Sequence, residues 1–249
     1  METIPPRPGS APDAAGVAER VEAIRRRIAG ACGRAGRDPA EVTLLGAAKL
    51  QPVERIAAAC AAGLAVIGEN RVDEAEAHRD ALAARASAAA GSVEWHLIGP
   101  LQSNKARRAA ALFDAVHSID RPKIAGVLDR HLAELGRRIP ALVEVNLGGE
   151  ETKHGFPTAG IAEAVRPLAD LEHLGISGLM AIPPPADDPE SMRPWFRRLR
   201  ELRDELTSRP EWAGWAGWLS MGMSDDYEVA VEEGATHVRI GTALFGPRG

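Results

Sequence analysis

The residues of this 249-residue chain best suited to chemistry are one lysine, Lys49, and one stretch near the C-terminus. The stretch, Leu219 to Gly246, reads L-S-M-G-M-S-D-D-Y-E-V-A-V-E-E-G-A-T-H-V-R-I-G-T-A-L-F-G. It predicts a short strand ending at Ser220, a turn, a helix with Ser224 as its N-cap, and a strand His237 to Ile240 running into Gly241 and Thr242. A helix start leaves backbone N–H groups unpaired at the positive end of the peptide dipole, and a glycine after the next strand lets bare backbone approach an anion. Two adjacent strand ends would then converge on one phosphate. The plainer reading makes Ser224 only a cap and Gly241 only a turn, with Asp225 and Asp226 competing for the same N–H groups. Pairing across consecutive strand ends, with Arg239 two residues before the glycine, favours the anion site.

Surface charge is carried by 26 arginines and only four lysines: Lys49, Lys105, Lys123 and Lys153. Only an amine can be deprotonated and condense with a carbonyl, so each lysine is a candidate nucleophile. Lys49 follows the apolar run Val42 to Ala48, where burial is expected to strip hydration from the ammonium; the alternative is a lysine whose head reaches solvent. A phosphate anchor beside a reactive amine suits an aldehyde-bearing phosphate, of which pyridoxal 5′-phosphate (PLP) is the common one. Lys153, in the loop E-E-T-K-H-G, is the rival amine, and Lys105, in Q-S-N-K, a further cation near the same rim. His96 reads as an inward, hydrogen-bonded core residue, and Trp212, Trp215 and Trp218 as packing ahead of the strand at Leu219.

These residues need a frame that brings strand ends together. Val17, Val21, Ile24 and Ile28 make one apolar stripe on a helix from Ala14 to Arg34, after a Pro-rich tail over residues 1–12. An alternation of strands and helices follows. Strands are expected at Val42–Ala48, Ala65–Ile67, Val93–Ile98, Ala115–Ile119, Ala141–Leu147, Gly175–Ile182, Leu219–Met221 and His237–Ile240. Helices are expected between them, among them Glu69–Ala89, Gln102–Leu112 and Pro157–Leu171. Eight such units predict a single TIM-type (β/α)8 barrel over residues 13–249, with its chemistry at the C-terminal ends of the strands. An open doubly wound sheet is the alternative. Too few residues follow Gly246 for an eighth outer helix, so the N-terminal helix is expected to cover that gap.

Composition narrows the partners. With 45% hydrophobic and 26% charged residues and a net charge of −5, the chain has no basic surplus for nucleic acid. No apolar run is long enough to span a bilayer, and residues 1–10 lack a signal-peptide pattern, so a cytoplasmic protein is expected. Cys32 and Cys60 lack metal-ligand spacing and read as buried thiols; no structural metal is expected.

The runs E-W-H-L-I-G-P-L-Q-S-N-K from Glu94, G-E-N from Gly68, H-S-I-D-R from His117, V-N-L-G-G-E-E-T-K-H-G from Val145 and G-L-M-A-I-P from Gly178 join the C-terminal stretch in one pattern. Over about residues 40–246 the chain resembles the YggS/PROSC family of PLP-binding homeostasis proteins, which share their fold with the alanine racemase barrel domain (fold type III PLP proteins). The resemblance implies an internal aldimine at Lys49, phosphate contacts from Ser224, Gly241 and Thr242, Arg239 beside the pyridine nitrogen, and Asn70 in the pocket. The chain departs from it in Ala48-Lys49-Leu50, where the family usually has Ser-Lys-Thr, and in Arg71, where it often has Tyr.

The same residues set expectations about activity. Arg239 near the ring nitrogen would keep it unprotonated, making the ring a weak electron sink. The second base of a two-base racemase is a tyrosine of a separate domain in alanine racemase, whereas the one tyrosine here, Tyr227, sits in the helix after Ser224. The expected function is PLP homeostasis: a monomer that binds the cofactor and delivers it to apo-enzymes. A one-base PLP-dependent racemase or lyase with Lys49 as base, and a barrel enzyme for another phosphorylated compound, are the alternatives.

Overall fold

The computed structural model describes residues 14–85, 93–150, 154–184, 186–212 and 214–247; the tail expected over residues 1–12 lies outside them. The strands are β1 (Thr43–Ala47), β2 (Val66–Glu69), β3 (Glu94–Leu97), β4 (Ala115–Ile119), β5 (Ile139–Asn146), β6 (Phe156–Pro157), β7 (Leu174–Met180), β8 (Trp218–Ser220) and β9 (His237–Ile240). Parallel pairing runs β4-β3-β2-β1-β9-β8-β7-β5, and β5 pairs back onto β4. Eight strands thus close into the expected barrel, and the open sheet is excluded; β6 only adds two residues along β5. Closure removes both exposed sheet edges.

The helices are α1 (Ala14–Ala35), α2 (Val53–Ala61), α3 (Val72–Ala83), α4 (Ala106–Leu112), α5 (Pro122–Glu134), α6 (Ile161–Val165), α7 (Arg193–Thr207), α8 (Tyr227–Glu232) and α9 (Thr242–Phe245). Each buries one stripe against the strands. On α7 that stripe is Phe196, Leu199, Leu202 and Leu206, and full burial of each such side chain is worth roughly 2 kcal/mol. Among the described residues the four-residue α9 follows β9, and α1 lies against α2, α8 and α9. Val17, Val21, Ile24 and Ile28 are buried there, and Arg20 Nε donates to Leu244 O at 2.9 Å.

Three expected helices differ. Residue 69 belongs to β2 because it pairs with Leu97 of β3, its carboxylate facing outward onto His78 of α3, so α3 starts at Val72; the expected end beyond residue 85 lies outside the described residues. The helix expected over 157–171 is only α6 and a 3-10 turn at 166–168, since Pro157 is in β6 and Pro167 removes an N–H donor. The third is α8. It starts at Tyr227, and Ser224 lies three residues before it in a turn.

The inside of the barrel is polar on one side. His96 on β3, His117 on β4, Ser220 on β8, and His237 and Arg239 on β9 are all buried and meet across the lumen.

Candidate functional site

Strand register decides which residues share the rim. β1 pairs Leu45 with Arg239 and Gly46 with Ile240 on one side, and Ala47 with Gly68 on the other. The C-terminal ends of β9, β1 and β2 are therefore level, and Gly241, Lys49 and Asn70 emerge side by side. Ala48 N donates to Gly68 O and Gln51 N to Ala48 O, both at 2.9 Å, so Lys49 and Leu50 form the tip of a tight turn. Leu50 has φ 58°, a left-handed value uncommon for a leucine. Lys49 itself is exposed, so the expected loss of hydration does not occur. The turn lifts the amine above the apolar strand and places it on the wall of the cavity.

Asn70 is seated by close backbone contact. A Cβ at Gly99 would stand 2.4 Å from Asn70 O, so only glycine lets that segment pass beneath it; Ser118 Oγ donates to Gly99 O at 2.6 Å. Beneath the turn, Glu69 is fully buried and paired with His78 Nδ1 at 2.6 Å. Burial raises the Glu69 carboxyl and the His78 partner opposes that.

The residues expected to cradle an anion are arranged differently from expectation. Asp226 spends one carboxylate oxygen on Met223 N at 2.6 Å. Ser224 is not an N-cap: its Oγ accepts the Ala243 N–H at 3.2 Å, joining the β8 loop to the start of α9. Its own O–H is left to donate to a ligand. Gly241 leads into α9 with φ −104°, and a Cβ there would meet nothing closer than Ala47 O at 3.4 Å. The surrounding protein thus leaves room for a side chain at 241, and glycine keeps that room open.

Arg239 closes the inner side. Its guanidinium is buried, with Nη1 donating to Ser220 Oγ at 2.8 Å and Nη2 to Ala181 O at 3.0 Å. Burial lowers its pKa to about 10, against the pull of Asp226 and Glu144, and it stays a cation at neutral pH. Lys49, Asn70, Ser224, Arg239, Gly241 and Thr242 all line one cavity of about 270 Å³. Asn70 also lines two adjoining spaces, one of about 450 Å³ with Arg71 and Lys105, the other of about 270 Å³ with Glu144, Asn146 and His154. Together they reach the roughly 300–1,000 Å³ of a small-molecule site. A larger cavity, about 780 Å³, lies at the other rim, among the starts of the strands, where barrels do not place their chemistry.

The rival residues are placed as follows. Lys153 lies outside the described residues. Lys105 Nζ pairs with Asp73 at 3.0 Å. Tyr227 is buried with Arg27 over its ring, and both cysteines are buried, Cys60 pushed up to about 11 by desolvation. Residues to which sequence reasoning gave no role are Asp120, at the end of a strand, and His154, 3.3 Å from it at the mouth, and Glu144, raised by burial and by Asp120. The signal was available for Asp120 and Glu144, near the ends of β4 and β5; His154 lies in the loop between β5 and β6.

A closed parallel barrel with a lysine on its C-terminal rim defines the class, and the family model described as alanine racemase, N-terminal domain, matches residues 16–249. A relative in Aquifex aeolicus named pyridoxal phosphate homeostasis protein is 44% identical over 92% of this chain and 97% of its own. Another of that name in Pseudomonas aeruginosa is 41% identical over 93% and 96%. PipY of Synechococcus elongatus, solved with PLP bound, matches with a TM-score of 0.78 at 35% identity, over 92% of this chain and 100% of that one. The alanine racemase of Clostridium difficile 630, at 15% identity and a TM-score of 0.66 over 91% of this chain and 56% of its own, shares the fold alone. The chain belongs to the alanine racemase N-terminal domain family and, within it, to the pyridoxal phosphate homeostasis proteins.

Proposed function

We propose that the chain binds PLP in the cavity walled by Lys49 and Arg239, and that it buffers the cofactor and hands it to apo-enzymes. The observation that carries this reading is the convergence of Lys49, Asn70, Ser224, Arg239, Gly241 and Thr242 on one cavity. The cofactor supplies an aldehyde that condenses with a primary amine, and a phosphate that needs N–H and O–H donors. Lys49 presents the amine from its turn. Ser224 and Thr242 offer hydroxyls, and Gly241 leaves the backbone open to the phosphate. Arg239 faces the ring; a guanidinium donates and does not accept, so a ring nitrogen beside it stays unprotonated.

The purified protein incubated with PLP is expected to show a near-visible absorbance band that borohydride removes, with the reduced adduct mapping by mass spectrometry to Lys49. Lys49→Ala should lose both. An adduct on Lys105 or Lys153 alone would overturn the assignment of the amine. For delivery, holo-protein mixed with an apo-transaminase should restore activity faster than free PLP does at the concentration in equilibrium with the protein.

A second reading, a weak racemase or lyase with Lys49 as base, is favoured by the adjoining cavity with Glu144 and His154. It requires solvent deuterium to enter an amino acid at Cα in the presence of holo-protein, and Lys49→Ala to abolish that exchange.

A further inference from the structure

We infer that Ser220, His117 and His96 form a one-directional hydrogen-bond relay that ties Arg239 at the ligand cavity to Glu94 at the opposite rim, and that they act as positioning residues for Arg239. The four contacts form a line through the barrel. Arg239 Nη1 meets Ser220 Oγ at 2.8 Å, Ser220 Oγ meets His117 Nδ1 at 2.9 Å, His117 Nε2 meets His96 Nδ1 at 3.1 Å, and His96 Nε2 meets Glu94 Oε2 at 3.2 Å.

The proton positions follow from the Glu94 end. A carboxylate only accepts, so His96 Nε2 carries a proton; a neutral His96 must then accept at Nδ1. His117 therefore donates from Nε2 and accepts at Nδ1, which makes Ser220 the donor to it. Ser220 Oγ in turn accepts from Arg239, the only role a guanidinium allows. A hydroxyl can accept twice, so the Arg239 end is compatible with this assignment and the Glu94 end decides it: each contact holds one proton and both imidazoles are Nε2–H tautomers. Neutrality is set by surroundings. His117 is wholly enclosed, facing His96, the edge of His237 at 5.4 Å between ring centroids, and Arg239, and burial with these neighbours holds it far below the ordinary histidine range. His237 stands beside the line, its Nδ1 turned to Thr236 Oγ1 at 2.9 Å.

The relay answers a need of the site. Among the described residues Arg239 has no ion-pair partner, and a buried cation is tolerated only where dipoles face it. Behind the guanidinium's own bond, three aligned hydrogen bonds point their negative ends toward it and polarise one another. They also fix its rotamer, because Nη1 is committed to Ser220 while Nη2 is committed to Ala181 O. The foot of the relay is open: Glu94 keeps 64% of its side-chain surface and, with His96, lines the cavity of about 780 Å³.

The tautomer assignment stands without any ligand; its effect on binding rests on the proposed PLP site. In long-range ¹⁵N–¹H spectra of the ligand-free protein at pH 7.5, His96 and His117 should both give the Nε2–H pattern. Glu94→Gln, a change on the surface, should convert His96 to a tautomer mixture, because an amide either donates or accepts. Ser220→Ala should leave His117 as Nε2–H, since His96 still accepts from it, and weaken PLP binding about tenfold, the loss of one charge-assisted hydrogen bond, while Ser220→Thr restores the affinity. An Nδ1–H or doubly protonated ring at His117 in the wild type overturns the relay. Unchanged PLP affinity in Ser220→Ala, with the tautomers as expected, overturns the positioning role. Failure of the wild type to bind PLP would sink the proposed function and leave the tautomer result to be judged alone.

Discussion

At the scale of the residue, what matters most is how one amine is held. Lys49 sits in a turn whose other tip, Leu50, has φ 58° and is 60% exposed. A non-glycine residue there costs on the order of 1–2 kcal/mol, and an exposed leucine recovers little of that by packing. Leu50→Asn, which tolerates the left-handed region, should therefore raise stability by about 0.5–1 kcal/mol, and Leu50→Val should lower it by about as much. Urea midpoints of the two variants settle it; equal shifts of the same sign would mean the turn relaxes in solution. That the six candidate residues would share a rim was legible in sequence because each lies at, or a few residues past, the end of a parallel strand. The strain at Leu50 was not, since a dihedral is imposed by the Ala48–Gln51 turn rather than by leucine itself. Nor was the real partner of Ser224, Ala243 N, which lies 19 residues on and is met only when the barrel closes.

At the scale of the element, the eight strands were legible from alternation and punctuation, to within a residue or two at most ends. Helix starts fared worse. α8 begins at Tyr227 because Asp226 binds Met223 N and the chain spends Ser224–Asp226 on a turn, a choice among S, D and D that local propensity does not decide. α1 was readable both as a helix and as the cover of the gap, and the covering role can be measured. Ile24 is 4% exposed on the stripe facing the barrel. Ile24→Ala should cost about 2–4 kcal/mol, the loss for a large-to-small change in a packed interior. Glu22, two residues away on the outer face with its side chain 57% exposed, should tolerate Glu22→Ala within about 0.5 kcal/mol. Comparable losses at both positions would mean α1 is not seated by this stripe.

At the scale of the whole molecule, the barrel keeps polar groups where such folds commonly stack branched apolar side chains, and this ties its stability to pH. His96, His117 and His237 are all buried and all held below the ordinary histidine value, chiefly by desolvation. His237 falls to about 3 from 6.5, with His96 and Arg239 adding repulsion. The folded value is thus below the unfolded one. Between pH 6.5 and about 3 the unfolded chain takes up a proton that the folded chain refuses, so this contribution is complete above 6.5 and is lost as the pH falls. The slope is about 1.4 kcal/mol per pH unit for one such group. Glu69, Glu144 and Asp226 are raised by burial and act in the opposite sense, so the wild-type curve alone is a sum. His237→Phe isolates one member: it keeps a ring against Trp218, and Thr236 Oγ1 retains its bond from Leu219 N at 2.8 Å. The stability advantage of wild type over this variant, from urea unfolding, should shrink by about 1.4 kcal/mol per unit from pH 6.5 to 4.5. Parallel curves across that window would show that the folded barrel admits a proton at His237 as readily as water does, and the interior would then be open from its floor.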